Sequence, residues 1–229
     1  ISYIIHLFNK FMTTRRTIRK NQKKWLSSNK NLKILDLGCS NKNFWPEANH
    51  FADIHDYKND FENLNLNYTQ IKPDAKLPFK DKEFDYVICT HVIEHVNHPM
   101  SFKEEIERIG KSGYIELPTR LNDNMVFGCD EDIYGHKWWF EFDDDENKLI
   151  FTKKIDALEK FVSVGSIFNL TEIFDDSLII QVFWSDKINM EQREPYKLEK
   201  KISFLSLVRK YFSKKIRVYI SNLKNIFNS

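Results

Sequence analysis

Seven side chains of this sequence stand where they could do chemistry. Three are acids, Asp36, Asp53 and Asp74, each at or just past the end of a short run ending in a loop. The other four, His91, Glu94, His95 and His136, combine imidazoles with a carboxylate. Acids at the ends of successive strands can each accept hydrogen bonds from a polyol, and imidazoles beside a carboxylate can hold a proton or a metal ion. The run Lys33 to Ser40, KILDLGCS, is apolar up to Asp36 and then turns to Leu37, Gly38, Cys39 and Ser40. That is the form of a buried parallel strand opening into a tight loop whose backbone a ligand can approach. Asp53 closes HFADI seventeen residues beyond Asp36, near the spacing at which an acid meets two vicinal ribose hydroxyls in a doubly wound sheet.

Strands must carry these acids to one rim. After the first two, Tyr68 to Ile71 leads to Asp74 and Ala75, Phe84 to Cys89 reads as a fully buried strand breaking at Thr90 and His91, and Gly113 to Leu117 is closed by Pro118. Only about a dozen residues, Pro46 among them, separate the first loop from Asp53, too few for a full helix. Asp56 to Asn67 is polar and Asn-rich, a loop or a ragged helix. Between Asn97 and Gly110, Ser101 with Glu104 forms a capping-box pattern, and Phe102, Ile106 and Ile109 form an apolar face. That is a crossover helix, and it requires a parallel sheet.

Beyond Pro118 comes a long irregular stretch bearing His136, Trp138 and Trp139, placed where an α/β fold builds its acceptor pocket. Two alternating runs about Asp143 to Asn147 give a hairpin, Lys153 to Phe161 a short helix, and Ser177 to Trp184 an apolar late strand.

Taken together, Asp36-x-Gly38, Asp53, Asp74-Ala75 with Leu77-Pro78-Phe79, and Phe84-Asp85-Tyr86-Val87 leading to His91-Val92-Ile93-Glu94-His95 resemble the class I S-adenosylmethionine-dependent methyltransferases over roughly residues 14 to 185. The resemblance implies an α/β, doubly wound, mostly parallel Rossmann-like sheet with an antiparallel late strand, to which the residues themselves add an inserted hairpin and basic helical termini. It implies S-adenosyl-L-methionine as cofactor. Asp36, Gly38 and Ser40, with Leu37 and Cys39 in the same loop, would line its methionine end; Asp53 with Ile54 would take the ribose, and Asp74 and Ala75 the adenine, with His91 completing the set. Ser40 departs from the family pattern, which commonly has a second glycine there. The implied organisation is a helical segment over residues 1–32, a methyltransferase domain over 33–196 with an acceptor-side insertion at 119–152, and a basic amphipathic helix over 197–229.

Two readings stand for the histidine cluster. In one, His91, His95 or His136 is the general base that takes a proton from an acceptor hydroxyl. A variant of it resembles metal-dependent O-methyltransferases with a Glu-x-x-Glu-His motif, so that His91, Glu94, His95 and His136 would hold a divalent ion; His91 stands where that motif has its first Glu, and hard ions prefer oxygen. In the other, Glu94 and His95 only orient the following helix, and no metal is bound.

The 229 residues suffice for one domain with appendages, and no apolar run approaches the length of a membrane span. Three well-separated cysteines, Cys39, Cys89 and Cys129, make no disulfide framework and fit a reducing, cytoplasmic setting. The sequence opens on Ile1 without a signal-peptide layout, so a trimmed or incomplete chain is expected. A net charge of +2 hides an asymmetry: residues 1–33 carry nine Lys or Arg and no acid, residues 197–229 carry nine and only Glu199, and the body between is strongly acidic. That body argues against nucleic acid as partner. Trp138 and Trp139 offer stacking faces and point to a small-molecule or glycan acceptor, a sugar or glycan precursor methylated at oxygen by in-line displacement. Ile1 to Met12 has helical apolar spacing, as has Leu205 to Phe227, where Lys and Arg crowd the opposite face. The second could pack on its own domain, meet a partner helix, or make a peripheral membrane contact, in which case a membrane-dissolved quinone or lipid becomes the acceptor. A methyltransferase-like partner subunit without activity is the remaining alternative.

Overall fold

The computed structural model describes residues 14–125, 135–154, 178–194 and 203–227. Its main sheet has seven strands: β1 (Thr14–Arg16), β2 (Ile34–Leu37), β3 (His50–Asp53), β4 (Asn67–Gln70), β5 (Phe84–Thr90), β6 (Gly110–Pro118) and β9 (Ile179–Ser185). They lie in the order β4-β3-β2-β5-β6-β9-β1. β4, β3, β2, β5 and β6 are mutually parallel, β9 is antiparallel to β6, and β1 is antiparallel to β9. The parallel core and the antiparallel late strand agree with the sequence. The order reverses between β2 and β5, and in such sheets ligands bind outside the carboxyl ends at that point.

Strand periodicity divides the core. Leu35 and Leu37 of β2 and Val87 and Cys89 of β5 enter one cluster, while Ile34, Tyr86 and Ile88 enter another with Trp45, Phe51 and Phe61. Helices α1 (Arg19–Ser28), α2 (Lys58–Asn63) and α3 (Pro99–Ile109) connect the strands. α2 is the short helix that its Asn-rich sequence allows. α3 begins two residues before Ser101, with His98 at its N-cap and no side-chain cap, so the Ser101–Glu104 capping box does not form. Pro99 explains the earlier start: its fixed φ and missing N–H suit the first helical turn.

The hairpin expected around Asp143 to Asn147 is β7 (Trp138–Asp143) and β8 (Lys148–Lys153), and β10 (Met190–Gln192) joins β8 in parallel to make a second, three-stranded sheet. A short α4 (Arg120–Met125) follows β6. The N-terminal segment, expected to be helical, contributes a strand: β1 pairs residue for residue with Trp184, Phe183 and Val182. Two arginines in three residues give no strand signal; the pairing to the sheet edge imposes it. The expected helices at residues 1–12 and 153–161 lie outside the described residues, except that Lys153 ends β8. The last helix, α5 (Phe204–Phe227), is present.

Between β2 and β3 no helix forms, and Trp45 fills the space instead. It is 2% exposed, packs at 5.3 Å from the Tyr114 ring, and its backbone N–H donates to the Asp36 carboxylate at 2.7 Å. Asp36 lies on the face of β2 opposite Leu35 and Leu37, beneath this connection, and is itself 2% exposed. Burial pushes its carboxyl up to about 7, against the Trp45 N–H and Arg19, which favour the charged form. An acid raised in this way is a liability once charged: the folded state holds a proton that the unfolded chain releases from pH 3.8 upward, so stability falls as pH rises toward about 7. Asp36→Asn keeps an acceptor for Trp45 and removes this titration. In urea unfolding the variant should gain on the wild type steadily from about pH 4 to about pH 7, the two pKa values concerned; a gap independent of pH would contradict the buried, proton-holding carboxyl.

Candidate active site

At the reversal point a cavity of about 370 Å³ opens. It is lined by Gly38 after β2, by Asp53, Ile54 and His55 after β3, by Ile71 to Ala75 after β4, and by His91, Val92 and His95 after β5. Four strand ends therefore meet at one hollow of the size usual for a small-molecule site. A second hollow of about 380 Å³ at the β1–β9 edge, lined by Arg16, Thr17, Ile18, Ile179 and Gln181, contains none of these strand ends.

Three lining residues have left-handed backbone, Gly38 at φ 86°, Asp74 at 53° and His91 at 55°. Gly38 is required on two counts. Its N–H donates to the Ala52 carbonyl at 2.7 Å, and a Cβ there would stand 2.1 Å from Cγ2 of Val92. Asp53 receives the His55 N–H on Oδ1 at 2.8 Å; burial raises its pKa and that N–H works in the opposite direction. A carboxylate so placed in a cavity is an acceptor for two neighbouring hydroxyls. Asp74 has its oxygens on Asn97, by the Asn97 N–H at 3.0 Å and by a shorter bond from the side-chain amide. Lys137 Nζ donates to the Asn97 oxygen at 2.8 Å, completing a chain across the rim.

Of the expected cofactor residues, Gly38, Asp53, Ile54, Asp74, Ala75 and His91 line the cavity, whereas Asp36, Leu37, Cys39 and Ser40 do not. Asp36 lies under Trp45, Leu37 and Cys39 are buried in the core, and Ser40 Oγ accepts the Asn43 N–H within its own loop. Burial raises the thiol of Cys39, and that of Cys89, so neither is a ready nucleophile.

The histidine cluster occupies the β5 side. His91 stands between two buried acids, Nδ1 3.4 Å from Glu94 and Nε2 3.4 Å from Glu116. Burial alone would lower its pKa, but contacts with Glu116 and Glu94 outweigh that and push it up to about 9. Glu116 is held further by Arg19 at 3.1 Å and the Tyr114 hydroxyl at 2.5 Å. Burial raises its pKa, but His91 and Tyr114 lower it by more. Glu94 is 0% exposed, and neither carboxylate oxygen has a hydrogen-bond partner. His136 lies behind the cavity wall, its ring 4.5 Å from that of His95, its Nε2 3.8 Å from Glu94, and its Nδ1 in a short contact with Asp123. The insertion is anchored here by Lys137 N–H to the Glu94 carbonyl at 2.8 Å and Trp138 Nε1 to the Val96 carbonyl at 2.9 Å.

Glu94, His95 and His136 bring donor atoms within 4.8 Å of one another; His91, the fourth residue of the expected metal set, lies outside that trio. One carboxylate and two imidazoles suit a transition ion better than magnesium, and Asp123 on the far nitrogen of His136 is the usual outer partner of such a ligand. Glu116, Asp123, Asn97 and Lys137 carry no mark of this role in the sequence. Glu116 lies inside the apolar strand Gly113 to Leu117, where its position opposite His91 depends on strand register; the others come from segments without useful periodicity.

Residues 35–115, about a third of the chain, match the family model described as a methyltransferase domain. An uncharacterised protein of Methanocaldococcus jannaschii is 26% identical over 163 residues, 66% of this chain and 71% of that one. Among solved structures, a methyltransferase of Thermotoga maritima described as a possible histamine N-methyltransferase is similar at 18% identity and TM-score 0.36, over 42% of this chain and 50% of that one. A methyltransferase of Aquifex aeolicus is similar at 14% identity and TM-score 0.35, over 71% and 88%. This chain thus spans about half the length of the Thermotoga structure. Scores of this size leave the assignment to the matched segment and the sheet, whose order, left-handed glycine and Asp53 agree with it. On those grounds residues 35–115 are a methyltransferase domain, on a sheet of the kind found in class I S-adenosylmethionine-dependent methyltransferases.

Proposed function

We propose that the protein transfers a methyl group from S-adenosylmethionine to a hydroxyl oxygen of a small acceptor entering beside His91 and His95. The cavity suits the adenosyl half of that cofactor: Asp53 for the ribose hydroxyls, and Ile54, Ile71, Ala75, Leu77 and Phe102 as apolar lining for the adenine. At the methionine end the cavity offers the Gly38 backbone, while Asp36 is sealed under Trp45. When bound, the cofactor supplies an electrophilic methyl carbon and keeps the electron pair of the broken bond at sulfur. The protein's task is to orient the acceptor and take its proton.

The observation that carries the oxygen reading is His95 on the cavity wall, with His136, Asp123 and the unbonded carboxylate of Glu94 behind it. His95 takes the hydroxyl proton as the new carbon–oxygen bond forms. Asp123 fixes the His136 ring, which in turn packs edge-on against His95. A glycan acceptor would need flat faces, and the tryptophans supply them poorly: Trp139 is 2% exposed beneath Arg120, and the Trp138 indole N–H is engaged by Val96. The proposal is therefore a small acceptor hydroxyl, with a sugar as one member of that class. Among the described residues the free cysteines are buried, Cys39 and Cys89, and a cytoplasmic setting is part of the proposal.

The Glu94–His95–His136 trio favours a second version, in which a bound transition ion polarises the acceptor oxygen. A chelator that abolishes turnover, with recovery on adding zinc or manganese, would select it; turnover indifferent to chelation would select the imidazole base.

Two variants test the main reading. Asp53→Ala should weaken cofactor binding by at least about tenfold in calorimetric titration, the scale of losing charge-assisted hydrogen bonds. Absence of binding by the wild type would point to a partner subunit instead. His95→Gln should retain cofactor binding and lower kcat about 10²- to 10⁴-fold, the range of a lost general base. An unchanged kcat would remove His95 from the chemistry.

A further inference from the structure

Helix α5 presents an apolar stripe that the described protein leaves uncovered. Phe204 is 77% exposed, Leu205 78%, Phe212 60%, Ile216 58%, Tyr219 66% and Ile220 48%. At about 100° per residue, Leu205, Phe212, Ile216, Tyr219 and Ile220 fall within an arc of roughly 120°. Scattered exposed apolar side chains are ordinary; a stripe of them on one side of the helix from Leu205 to Ile220 is not.

The charge on the rest of the helix says what covers it. Between Phe204 and Phe227 there are six Lys or Arg and no Asp or Glu. Exposed Lys210 and Lys215 lie off the stripe, on its two sides, where a long side chain can reach outward past apolar neighbours. Against a second copy of α5, such flanks would meet only like charge, without the opposite-sign pairs that align two helices. No described helix is long and apolar enough to cross a membrane. An apolar face on one side, interrupted by Arg209, in a helix whose charges are all cationic, is the pattern of a helix that lies in the plane of a lipid surface.

We propose that α5 binds an anionic bilayer surface, with Leu205, Phe212, Ile216, Tyr219 and Ile220 below the headgroups and its Lys and Arg among the lipid phosphates. This contact is independent of the reaction assigned above. It would hold the catalytic domain beside the membrane, where acceptors dissolved in the bilayer are concentrated.

The test is sedimentation of the full chain with two sets of vesicles, phosphatidylcholine containing phosphatidylglycerol and phosphatidylcholine alone. Partitioning should be at least about tenfold stronger onto the anionic set and fall as salt is raised. The pair Phe212→Glu and Ile216→Glu should reduce it at least about tenfold, and so should Lys210→Glu with Lys215→Glu, while circular dichroism and cofactor binding stay those of the wild type. Equal partitioning onto both vesicle sets, or no loss in either variant, would overturn the proposal. So would light scattering that shows an oligomer which the stripe variant splits into monomers, because the stripe would then be covered by a second copy.

Discussion

The rim of the sheet depends on the close approach of Val92 to the bare α-carbon of Gly38. A methyl group on residue 38 would stand 2.1 Å from Cγ2 of Val92, so the loop after β5 can come down onto the loop after β2 only because residue 38 has no side chain. The same glycine adopts φ 86° and gives its N–H to the carbonyl of Ala52, tying β2 to β3 as both strands end. One position thus sets the separation of the two halves of a doubly wound sheet, and the cavity lies in that separation. His91, on the other side of the contact, continues the chain in a left-handed conformation that non-glycine residues seldom adopt. Strain of this kind persists where surrounding contacts over-determine it, and the two carboxylates that flank the His91 ring do so.

Acids distribute the work around this rim according to what each meets. Asp53 keeps a place in the cavity, and Asp74 ties two loops together through Asn97. Glu116 is satisfied by Arg19, Tyr114 and His91, and Asp36 by the backbone of Trp45. Glu94 alone among these is wholly buried without a hydrogen bond, which in a protein interior is costly unless a nearby cation or a proton balances it. Among the described residues the imidazoles of His91 and His136 approach it at 3.4 and 3.8 Å.

Much of this was legible in the sequence, because the signals are local. Apolar runs ending in acids marked β2 and β3, apolar runs alone marked β5 and the late strand β9, and the acidic turn at residues 143–147 marked the hairpin. What escaped depended on contacts between distant segments. β1 is a strand because β9 offers an edge, and α3 starts at Pro99 because proline fits the first turn better than a capping serine two residues later. Asp36 occupies a motif position that suggests a ligand, yet strand periodicity turns it to the face that Trp45 covers, and nothing in residues 39–49 announces that a tryptophan will substitute for a helix. The imidazoles were visible as a group; that His91 would bridge two carboxylates while His95 and His136 stack edge to face required the register of β5 on β6 and the docking of the insertion.

The reaction proposed for this molecule rests on one adenosyl ligand occupying the hollow between β2, β3, β4 and β5. A crystal structure with S-adenosylhomocysteine tests that most directly. The ribose hydroxyls should lie on the Asp53 carboxylate, the adenine beside Ala75 and the sulfur on the Gly38 side facing His91. Density for the ligand elsewhere, or a ribose turned away from Asp53, would contradict it.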